Sequence, residues 1–376
     1  MKTVTGRDPA TGLPLEVAFH EGRIASIGQG PSGETAWLSA GLIDLQVNGY
    51  RGCDLNAEDL SPDTVIQLSQ HLLEVGVTTF LPTLITQSED RLISAMRAIA
   101  TAQEQDALVT HMVPGVHVEG PSLSPEDGPR GAHPREHIRP PSLSEFDRWQ
   151  SASGGLVKLI TLSPHFKDTE EYISELRTRG VHVSLGHTSA SVEELCEAVD
   201  AGAELSTHLG NGIANSLPRH PNLLWTQLAD DRLTAMLIAD GHHLPIDTLK
   251  VMLRAKGSAR IVLVSDLVAL GGLTPGMYES PVGGRVQLSA DGRLGLADTQ
   301  FLAGATLPLK DGVAHLVKNC GVSLVDALLF ATENPGKFVG GRGRLEVGEV
   351  ADLIRFSFDQ DQRMNIEGIV IAGESR

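Results

Sequence analysis

Four apolar runs in this chain each end on a side chain that can bind a metal ion or carry a proton. The terminal residues are Glu119, His187, His208 and Asp266, at the ends of the runs 116–119, 181–187, 205–208 and 261–266. One carboxylate and two imidazoles around a divalent cation, with one open position, form the ligand pattern of a catalytic metal site. Asp266 is then left to carry the proton of a water activated there. Because four such ends follow in order, the pattern predicts a metallohydrolase.

Each of these side chains also has an ordinary explanation. Glu119 could be a solvated carboxylate at a strand end, and a single histidine is more often a hydrogen-bonded core or surface residue. Asp266 could cap the N-terminus of a following helix. Residues 267–272 lack a long helical pattern, however. Since the glutamate and both histidines occupy similar strand ends, we favour the roles of metal ligand and proton carrier.

Eight buried-strand candidates in the centre of the chain provide these strand ends. They span 41–45, 77–81, 112–119, 156–162, 181–187, 204–208, 234–239 and 261–266. Amphipathic helical patterns, such as 64–73 and 191–201, lie between most of them. This alternation predicts an α/β fold of the (β/α)8 TIM-barrel type, whose active site lies at the C-terminal ends of the strands. A doubly wound sheet is the main rival, but no Gly-x-Gly-x-x-Gly turn follows an early strand.

The two ends of the chain differ from its centre. Short alternating stretches predict antiparallel strands at 15–19, 23–27, 351–356 and 368–371. Neither end is long enough for a core of its own. We therefore expect residues 1–40 and 341–376 to form one small β-sandwich domain, with the barrel of residues 41–340 inserted between them.

Composition limits the partners. A chain of 376 residues with 41% hydrophobic residues can bury a large core. Its net charge of -17 argues against a nucleic-acid or an anionic membrane partner, so an anionic substrate would depend on local Arg and His side chains. The three cysteines are widely spaced and fit a reducing compartment. With no signal-like or membrane-spanning segment in the sequence, we expect a cytoplasmic protein.

A series of short motifs resembles the N-acetylglucosamine-6-phosphate deacetylase family, within the amidohydrolase superfamily, over nearly the whole chain. They lie at 41–44, 76–83, 117–121, 131–133, 186–188, 207–209, 238–241, 265–266, 302–307 and 334–335. Each motif is weak alone, whereas their order and spacing together are specific. The resemblance implies a TIM barrel with a small β-sandwich, a homodimer, and hydrolysis of the N-acetyl amide of N-acetylglucosamine-6-phosphate to glucosamine-6-phosphate and acetate.

The resemblance also implies a role for individual residues. Glu119, His187 and His208 become the ligands of one divalent metal, with zinc as the first choice and iron, cobalt or manganese as alternatives for this ligand set. Asp266 becomes the general base and acid, so its loss should reduce turnover far more than substrate affinity.

Five further residues are implied to contact the substrate. They are His133 near the reacting carbonyl, Arg219 and His243 at the phosphate, and Asn211 and Ala303 at the sugar. A guanidinium fork suits a phosphate, and substitution of Arg219 should mainly raise the substrate concentration needed. Arg219 could otherwise be a surface cation and His133 an ordinary histidine in the long loop 121–141. The doubled His242-His243 leaves open which imidazole faces the substrate.

The chain also departs from the family pattern. Many amidohydrolases carry His-x-His after the first strand as ligands for a second metal, whereas this chain has Gln46-Val47-Asn48. The change favours one metal and leaves open a weak contact of Gln46 with a second. Differences at 210–213 and 219–222 leave the substrate open, so another hexosamine phosphate or an unphosphorylated N-acyl sugar or amine is an alternative. A non-catalytic barrel protein is disfavoured, because all four site residues are present.

Overall fold

Both ends of the chain contribute to one seven-stranded sheet. The computed structural model describes residues 1–280, 284–299 and 301–376. The strands of this sheet are β1 (Lys2–Arg7), β2 (Pro14–His20), β3 (Arg23–Gln29), β4 (Trp37–Ala40), β18 (Leu353–Phe358), β19 (Met364–Ile371) and β20 (Glu374–Ser375). Their order is β20-β19-β18-β4-β1-β2-β3, and one face packs an apolar cluster that includes Val17, Leu38 and Leu353. The small β-unit is confirmed, while its bounds at 1–40 and 341–376, like those of the barrel at 41–340, stay a prediction.

The centre of the chain forms the predicted (β/α)8 barrel. Its eight strands are β5 (Leu42–Val47), β8 (Val77–Ile85), β9 (Val116–Glu119), β10 (Val157–Leu162), β11 (His182–Leu185), β12 (Leu205–Ser206), β13 (Thr234–Leu237) and β14 (Ile261–Leu263). They pair in chain order in one sheet, and each neighbouring pair is parallel. All eight strands fall on the predicted stretches. Since parallel strands end on one face, the four candidate residues lie at the same end of the barrel.

Helices surround the barrel between its strands. They are α1 (Pro62–Glu74), α2 (Glu89–Gln105), α3 (Ala107–Met112), α4 (Leu143–Ser153), α5 (Thr169–Thr178), α6 (Val192–Asp200), α7 (Leu223–Ala229), α8 (Ile246–Lys256), α9 (Leu309–His315), α10 (Leu324–Leu329) and α11 (Glu333–Gly336). The two helices that the sequence predicts are α1 and α6. Ser61 and Ser191 cap their N-termini, because each hydroxyl accepts a hydrogen bond from a backbone N–H of the first turn. None of the helices in the described ranges has both the length and the apolar character needed to cross a membrane.

A small antiparallel sheet follows the last barrel strand and was not predicted. It consists of β15 (Gly276–Ser280), β16 (Gly284–Leu288) and β17 (Leu294–Leu296), and a hairpin of β6 (Gly49–Tyr50) and β7 (Cys53–Asp54) follows the first barrel strand. These strands have two to five residues each, too few for an apolar alternation to stand out. Both units lie on the C-terminal face of the barrel, since each follows the end of a barrel strand.

The inside of the barrel changes from apolar to polar toward that face. The apolar part includes Ile43, Leu45, Leu81, Leu159, Leu205, Met236 and Val262. Thr161 and Thr207 follow Leu159 and Leu205 by two residues, so their side chains point to the same side, toward the inside of the barrel. Both threonines are buried. A layer of buried polar side chains therefore lies beneath the C-terminal face of the barrel.

The barrel closes between β14 and β5 through a buried carboxylate. Asp44 Oδ1 accepts hydrogen bonds from the backbone N–H groups of Ser265 at 3.1 Å and Gln46 at 3.3 Å. Just beyond, the backbone N–H of Asp266 donates to the carbonyl oxygen of Gln46 at 3.0 Å. The seam thus places Gln46 and Asp266 side by side at the C-terminal end of the barrel.

The Asp44 carboxyl predicts a pH-dependent stability. Burial raises its pKa to about 7, above its value in an unfolded chain, so its contribution to stability is present below about pH 4 and is lost as the pH rises through 7. Asp44→Asn keeps the acceptor oxygen and cannot ionise. Relative to wild type, this variant should therefore gain about 1–3 kcal/mol between pH 5 and pH 8, as measured by thermal unfolding at both values.

The comparison variant is Asp44→Ala, which removes the acceptor and should be destabilised at both pH values. An equal difference between Asp44→Asn and wild type at pH 5 and pH 8 would contradict the assignment of this titration to Asp44.

Candidate active site

Three of the predicted residues bring their ligand atoms to one point. Glu119 is the last residue of β9, while His187 and His208 each follow their strands by two residues. His187 Nε2 and His208 Nε2 are 3.0 Å apart. Glu119 Oε1 lies 3.1 Å from His208 Nε2 and 3.4 Å from His187 Nε2. All three side chains are buried.

This spacing fits a metal ion. Bonds of about 2.1 Å at a tetrahedral angle separate two ligand atoms by about 3.4 Å, close to the observed 3.0 to 3.4 Å. Two imidazole nitrogens that face each other at hydrogen-bond distance can share at most one proton. A cation between them and the carboxylate satisfies both lone pairs. The donor set of one carboxylate and two imidazoles is the one that the sequence predicts.

Electrostatics favour an ionised carboxylate at this point. Burial opposes the charge of Glu119, but hydrogen bonds with His187 and His208 hold its pKa well below the usual range. Burial likewise opposes the charge of His208, yet the Glu119 carboxylate outweighs it and raises the pKa of that imidazole. The buried anion therefore draws positive charge toward itself, which is the condition for binding a cation.

His187 is oriented by two loops. Its Nδ1 lies 2.8 Å from the carbonyl oxygen of Pro129, an acceptor, so Nδ1 carries the proton and Nε2 is free for a metal. A Cβ on Gly212 would lie 2.8 Å from His187 Nδ1, and one on Gly131 would lie 3.1 Å from His187 Cε1. Both glycines have left-handed φ angles. The two glycines thus form a clamp on the His187 ring, because a larger residue at either position would displace the ring.

Three of the four key residues have left-handed backbone conformations. The φ angles are 49° for His187, 28° for His208 and 52° for Asp266. Non-glycine residues adopt such angles at a cost of about 1–3 kcal/mol each. The surrounding hydrogen bonds must offset this strain. The left-handed conformation directs each side chain toward the mouth of the barrel.

His133 reaches the same point from the long loop 121–141. Its Nε2 lies 3.3 Å from His187 Nε2 and 3.8 Å from Glu119 Oε2, while its Nδ1 contacts Thr86 Oγ1 at 3.0 Å. Ligand atoms of Glu119, His133 and His187 all lie within 4.8 Å of one another. Burial lowers the pKa of His133 to about 3, so the ring is neutral. It can hold the metal or contact a substrate carbonyl, and the shorter distances of His208 favour His208 as the ligand.

Two amides at the end of β5 contact the two carboxylates of the site. Gln46 Nε2 donates to Glu119 Oε1 at 2.9 Å, and Asn48 Nδ2 donates to Asp266 Oδ1 at 2.7 Å. Each NH₂ group points its positive end at a carboxylate. These contacts were not predicted from the sequence, although residues i and i+2 of a strand share a face.

Asp266, the predicted proton carrier, lies beside the cluster of Glu119, His187 and His208. It follows β14 by three residues, and burial together with the charge of Glu119 raises its pKa to about 6. Asn48 occupies Oδ1, and no partner of Oδ2 is found among the described residues. The second oxygen is therefore available to take a proton near neutral pH.

A buried chain of hydrogen bonds supports the ligands from below. His117 Nδ1 lies 3.0 Å from the carbonyl oxygen of Leu45, so its Nε2 accepts from the Thr161 hydroxyl at 2.8 Å. Thr161 Oγ1 is 2.6 Å from Thr207 Oγ1, which in turn is 2.5 Å from Ser184 Oγ. Burial lowers the pKa of His117 to about 4, which keeps the ring neutral. The chain ties together β9, β10, β11 and the end of β12.

The predicted substrate residues lie around the same mouth, with less convergence. Arg219 is exposed on the loop before α7, and it makes no ion pair with any described residue. Asn211 Nδ2 donates to the carbonyl oxygen of His208 at 3.1 Å. The backbone N–H of Ala303 donates to the carbonyl oxygen of Leu294 at 3.0 Å, which places the loop that contains Ala303 against the small sheet. The roles of these residues in substrate binding stay predictions.

The doubled histidine separates into two environments. His242 Nε2 lies 3.1 Å from the carbonyl oxygen of Asp291, in the turn between β16 and β17. His243 is nearly buried and pairs with Asp240, whose Oδ2 lies 2.7 Å from His243 Nδ1. The charge of His243 also lowers the pKa of Asp266. This arrangement favours His243 as the imidazole that faces the substrate. Asp240 was missed in the sequence, although its i,i+3 spacing to His243 is visible there.

Comparisons with known proteins agree with this geometry. The family model described as the amidohydrolase family matches residues 37–376. An N-acetylglucosamine-6-phosphate deacetylase of Bacillus subtilis is 35% identical over 328 residues, which cover 86% of this chain and 81% of that protein. An N-acetylgalactosamine-6-phosphate deacetylase of a Shewanella species is 32% identical over 341 residues, covering 90% and 82%.

A solved structure resembles the whole fold. It is a mutant of the N-acetyl-D-glucosamine-6-phosphate deacetylase of Mycobacterium smegmatis in complex with N-acetyl-D-glucosamine-6-phosphate. The TM-score is 0.85 at 26% identity, over 96% of this chain and 94% of that one.

The clamp on His187 yields a prediction about metal affinity. Gly212→Ala should weaken metal binding at least about tenfold, since contacts that orient a ligand typically contribute 10- to 100-fold. The measurement is a competition titration against a chelator. Gly154→Ala is the matched control, because Gly154 has a similar φ of 67° and its added Cβ would meet nothing within 4 Å. Equal metal affinity in the two variants would show that the clamp does not position the ligand.

Proposed function

The chain belongs to the amidohydrolase family, and we propose that it hydrolyses the N-acetyl amide of N-acetylglucosamine-6-phosphate to glucosamine-6-phosphate and acetate. Family membership makes it a hydrolase of carbon–nitrogen bonds. The observation that carries the proposal is the convergence of Glu119, His187 and His208 within 3.0 to 3.4 Å, beside the available carboxylate of Asp266. The relatives named above support the choice of substrate.

We propose Glu119, His187 and His208 as the ligands of one divalent cation. Zinc is the first choice, and iron, cobalt or manganese would suit the same donors. When bound, such a cation lowers the pKa of water toward 7 and polarises an acyl oxygen. The donors of Gln46 and Asn48 to the carboxylates support a single ion, because they occupy the place of the second ligand pair.

The remaining chemistry falls to residues of the chain. Asp266 Oδ2 takes the proton of the attacking water and later gives it to the amine nitrogen, since an unprotonated amide nitrogen is a poor leaving group. Asn48 holds Asp266 Oδ1 and so fixes the direction of Oδ2. His133, neutral and buried, contributes a ring nitrogen near the place where the acyl oxygen becomes negative.

Phosphate recognition would come from the loops after the sixth and seventh barrel strands. Arg219 offers a guanidinium that pairs with no described carboxylate, and His243 follows the seventh barrel strand, β13. Loops after the seventh and eighth strands are frequent phosphate sites in TIM barrels. Binding energy from the phosphate would position the distant amide bond for attack.

A second substrate is favoured by a specific observation. A relative that acts on N-acetylgalactosamine-6-phosphate is 32% identical to this chain, and the sequence departs from the family at 210–213 and 219–222, in the loop before α7. Another hexosamine phosphate is therefore the main alternative, followed by an unphosphorylated N-acyl sugar. A non-catalytic role has no support in the site geometry.

Assembly and location are proposed by resemblance. We propose a homodimer, which light scattering of the purified protein would check, and a cytoplasmic enzyme. The wide spacing of the three cysteines supports the proposed location in a reducing compartment.

The test of the proposal is acetate release, with metal content determined on the same sample. The four substrates are N-acetylglucosamine-6-phosphate, N-acetylgalactosamine-6-phosphate and their unphosphorylated forms. We expect the fastest release from N-acetylglucosamine-6-phosphate, with about one metal per chain. Faster release from the galacto isomer would move the assignment to the alternative substrate. No release from any of the four by metal-loaded protein would overturn the proposal.

Asp266 carries a prediction about rate and pH. Asp266→Asn should lower kcat by about 10²- to 10⁴-fold with little change in KM, because the amide cannot accept the proton. Since the pKa of Asp266 is raised to about 6 and its ionised form is the base, wild-type kcat/KM should fall as the pH drops below about 6. Initial rates from pH 5 to 9 measure both effects.

Asp247→Asn is the control, because this exposed aspartate of α8 lies outside the site. It should retain wild-type rates across the range. An Asp266→Asn variant that kept near-normal turnover would remove this carboxylate from the mechanism.

A further inference from the structure

Asp240 is a buried carboxylate that the proposed reaction leaves without a role. It lies on the loop after β13, and its side chain is 5% exposed. Oδ1 accepts hydrogen bonds from the backbone N–H groups of His242 at 2.8 Å and of His243 at 2.9 Å. Oδ2 lies 2.7 Å from His243 Nδ1. Burial opposes its charge, but the hydrogen bond and the charge of His243 lower its pKa to about 2. The group is therefore an anion.

An ionised carboxylate decides which nitrogen of His243 carries the proton. It can only accept, so Nδ1 must donate. A neutral His243 would then present the bare lone pair of Nε2, which repels a phosphate oxygen. While Nδ1–H stays with Asp240 Oδ2, 2.7 Å away, only a doubly protonated ring presents an Nε2–H donor. No partner of His243 Nε2 is found among the described residues, so this nitrogen is free for a ligand.

We propose that Asp240 is a positioning residue for phosphate recognition: it holds Nδ1–H of His243, so that in the complex the opposite nitrogen, Nε2, points its N–H at the phosphate of a bound sugar phosphate. The inference rests on the proposed function and extends it to a residue without an assigned role. The paired carboxylate fixes the orientation of the ring, in a molecule whose net charge of -17 opposes the approach of phosphate.

A simpler role for Asp240 is to hold the loop. Its Oδ1 closes a turn over the two following N–H groups, as aspartates commonly do. Asp240→Asn separates the two roles. The asparagine keeps an acceptor for the turn, while its NH₂ group donates to His243 Nδ1 and leaves a neutral ring with the proton on Nε2. The turn persists, and the charge and the original tautomer are lost.

The experiment is calorimetric titration of metal-loaded protein with glucosamine-6-phosphate and, separately, with glucosamine. The variants are Asp240→Asn, His243→Ala and the double substitution, with His242→Ala as the matched control on the adjacent imidazole. Asp240→Asn should weaken glucosamine-6-phosphate binding about tenfold, the difference between a charged and a neutral donor. It should leave the affinity for glucosamine unchanged. In the His243→Ala background the same substitution should change affinity less than about twofold.

A nitrogen NMR spectrum of His243 gives a readout that a turn-holding role would not change. With glucosamine-6-phosphate bound, both nitrogens should be protonated in wild type, and Nε2 alone in Asp240→Asn. Wild-type affinity in Asp240→Asn, equal losses for both ligands, or a loss that persists without His243 would each overturn the proposal.

Failure of the proposed function is a separate result. A protein that releases no acetate yet shows the Asp240-dependent preference for glucosamine-6-phosphate would keep the inference and lose the reaction. A deacetylase whose phosphate affinity ignores Asp240 would keep the reaction and lose the inference.

Discussion

The buried negative charge of Glu119 is the constraint on which the site depends. A carboxylate without solvent costs several kcal/mol unless it is paired and hydrogen-bonded. Here His208, His187 and His133 face it within 3.8 Å, and the Gln46 amide donates to it. Together with Glu119, these groups come from four barrel strands and a long loop, so the compensation of one charge fixes the relative positions of most of the barrel mouth. The hydrogen-bonded side chains of His117, Thr161, Thr207 and Ser184 lie below them and connect the strands that carry the proposed ligands.

The same strand, β5, closes the barrel and positions side chains of the site. Asp44 on this strand accepts a hydrogen bond from the N–H of Ser265, and the next residue, Asp266, is the proposed proton carrier. Gln46 and Asn48, on the same face of the strand, donate to Glu119 and Asp266 in turn. A small shift of β5 against β14 would therefore disturb the seam and both carboxylates together. This coupling explains how a short seam can define a site, because side chains add contacts to the few backbone hydrogen bonds between these strand ends.

The sequence predicted the eight barrel strands, the paired chain ends and the convergence of Glu119, His187 and His208, because each depends on strong local patterns and on the rule that parallel strands end on one face. It did not predict β15 to β17, whose strands are too short for a periodic signal. Nor did it predict the contacts of Asn48 and Asp240. No local sequence pattern shows which partner a side-chain amide or carboxylate will contact across a barrel, so such pairs can be identified only in the three-dimensional structure. The orientation of His187 by a backbone carbonyl of the loop 121–141 is hidden for the same reason.

The proposed substrate is an anion, and the site has anions of its own. Glu119 and Asp266 lie at the ends of the third and eighth barrel strands, whereas Arg219 and His243 lie on loops that follow the sixth and seventh strands. Arg219 is exposed, while Glu119 is buried, and Coulomb repulsion falls with distance and is weak near solvent. A phosphate at the exposed guanidinium would therefore be repelled less than one inside the barrel. In the proposed arrangement the Asp240 carboxylate is tolerated near the phosphate, because it is already paired with His243 Nδ1 at 2.7 Å.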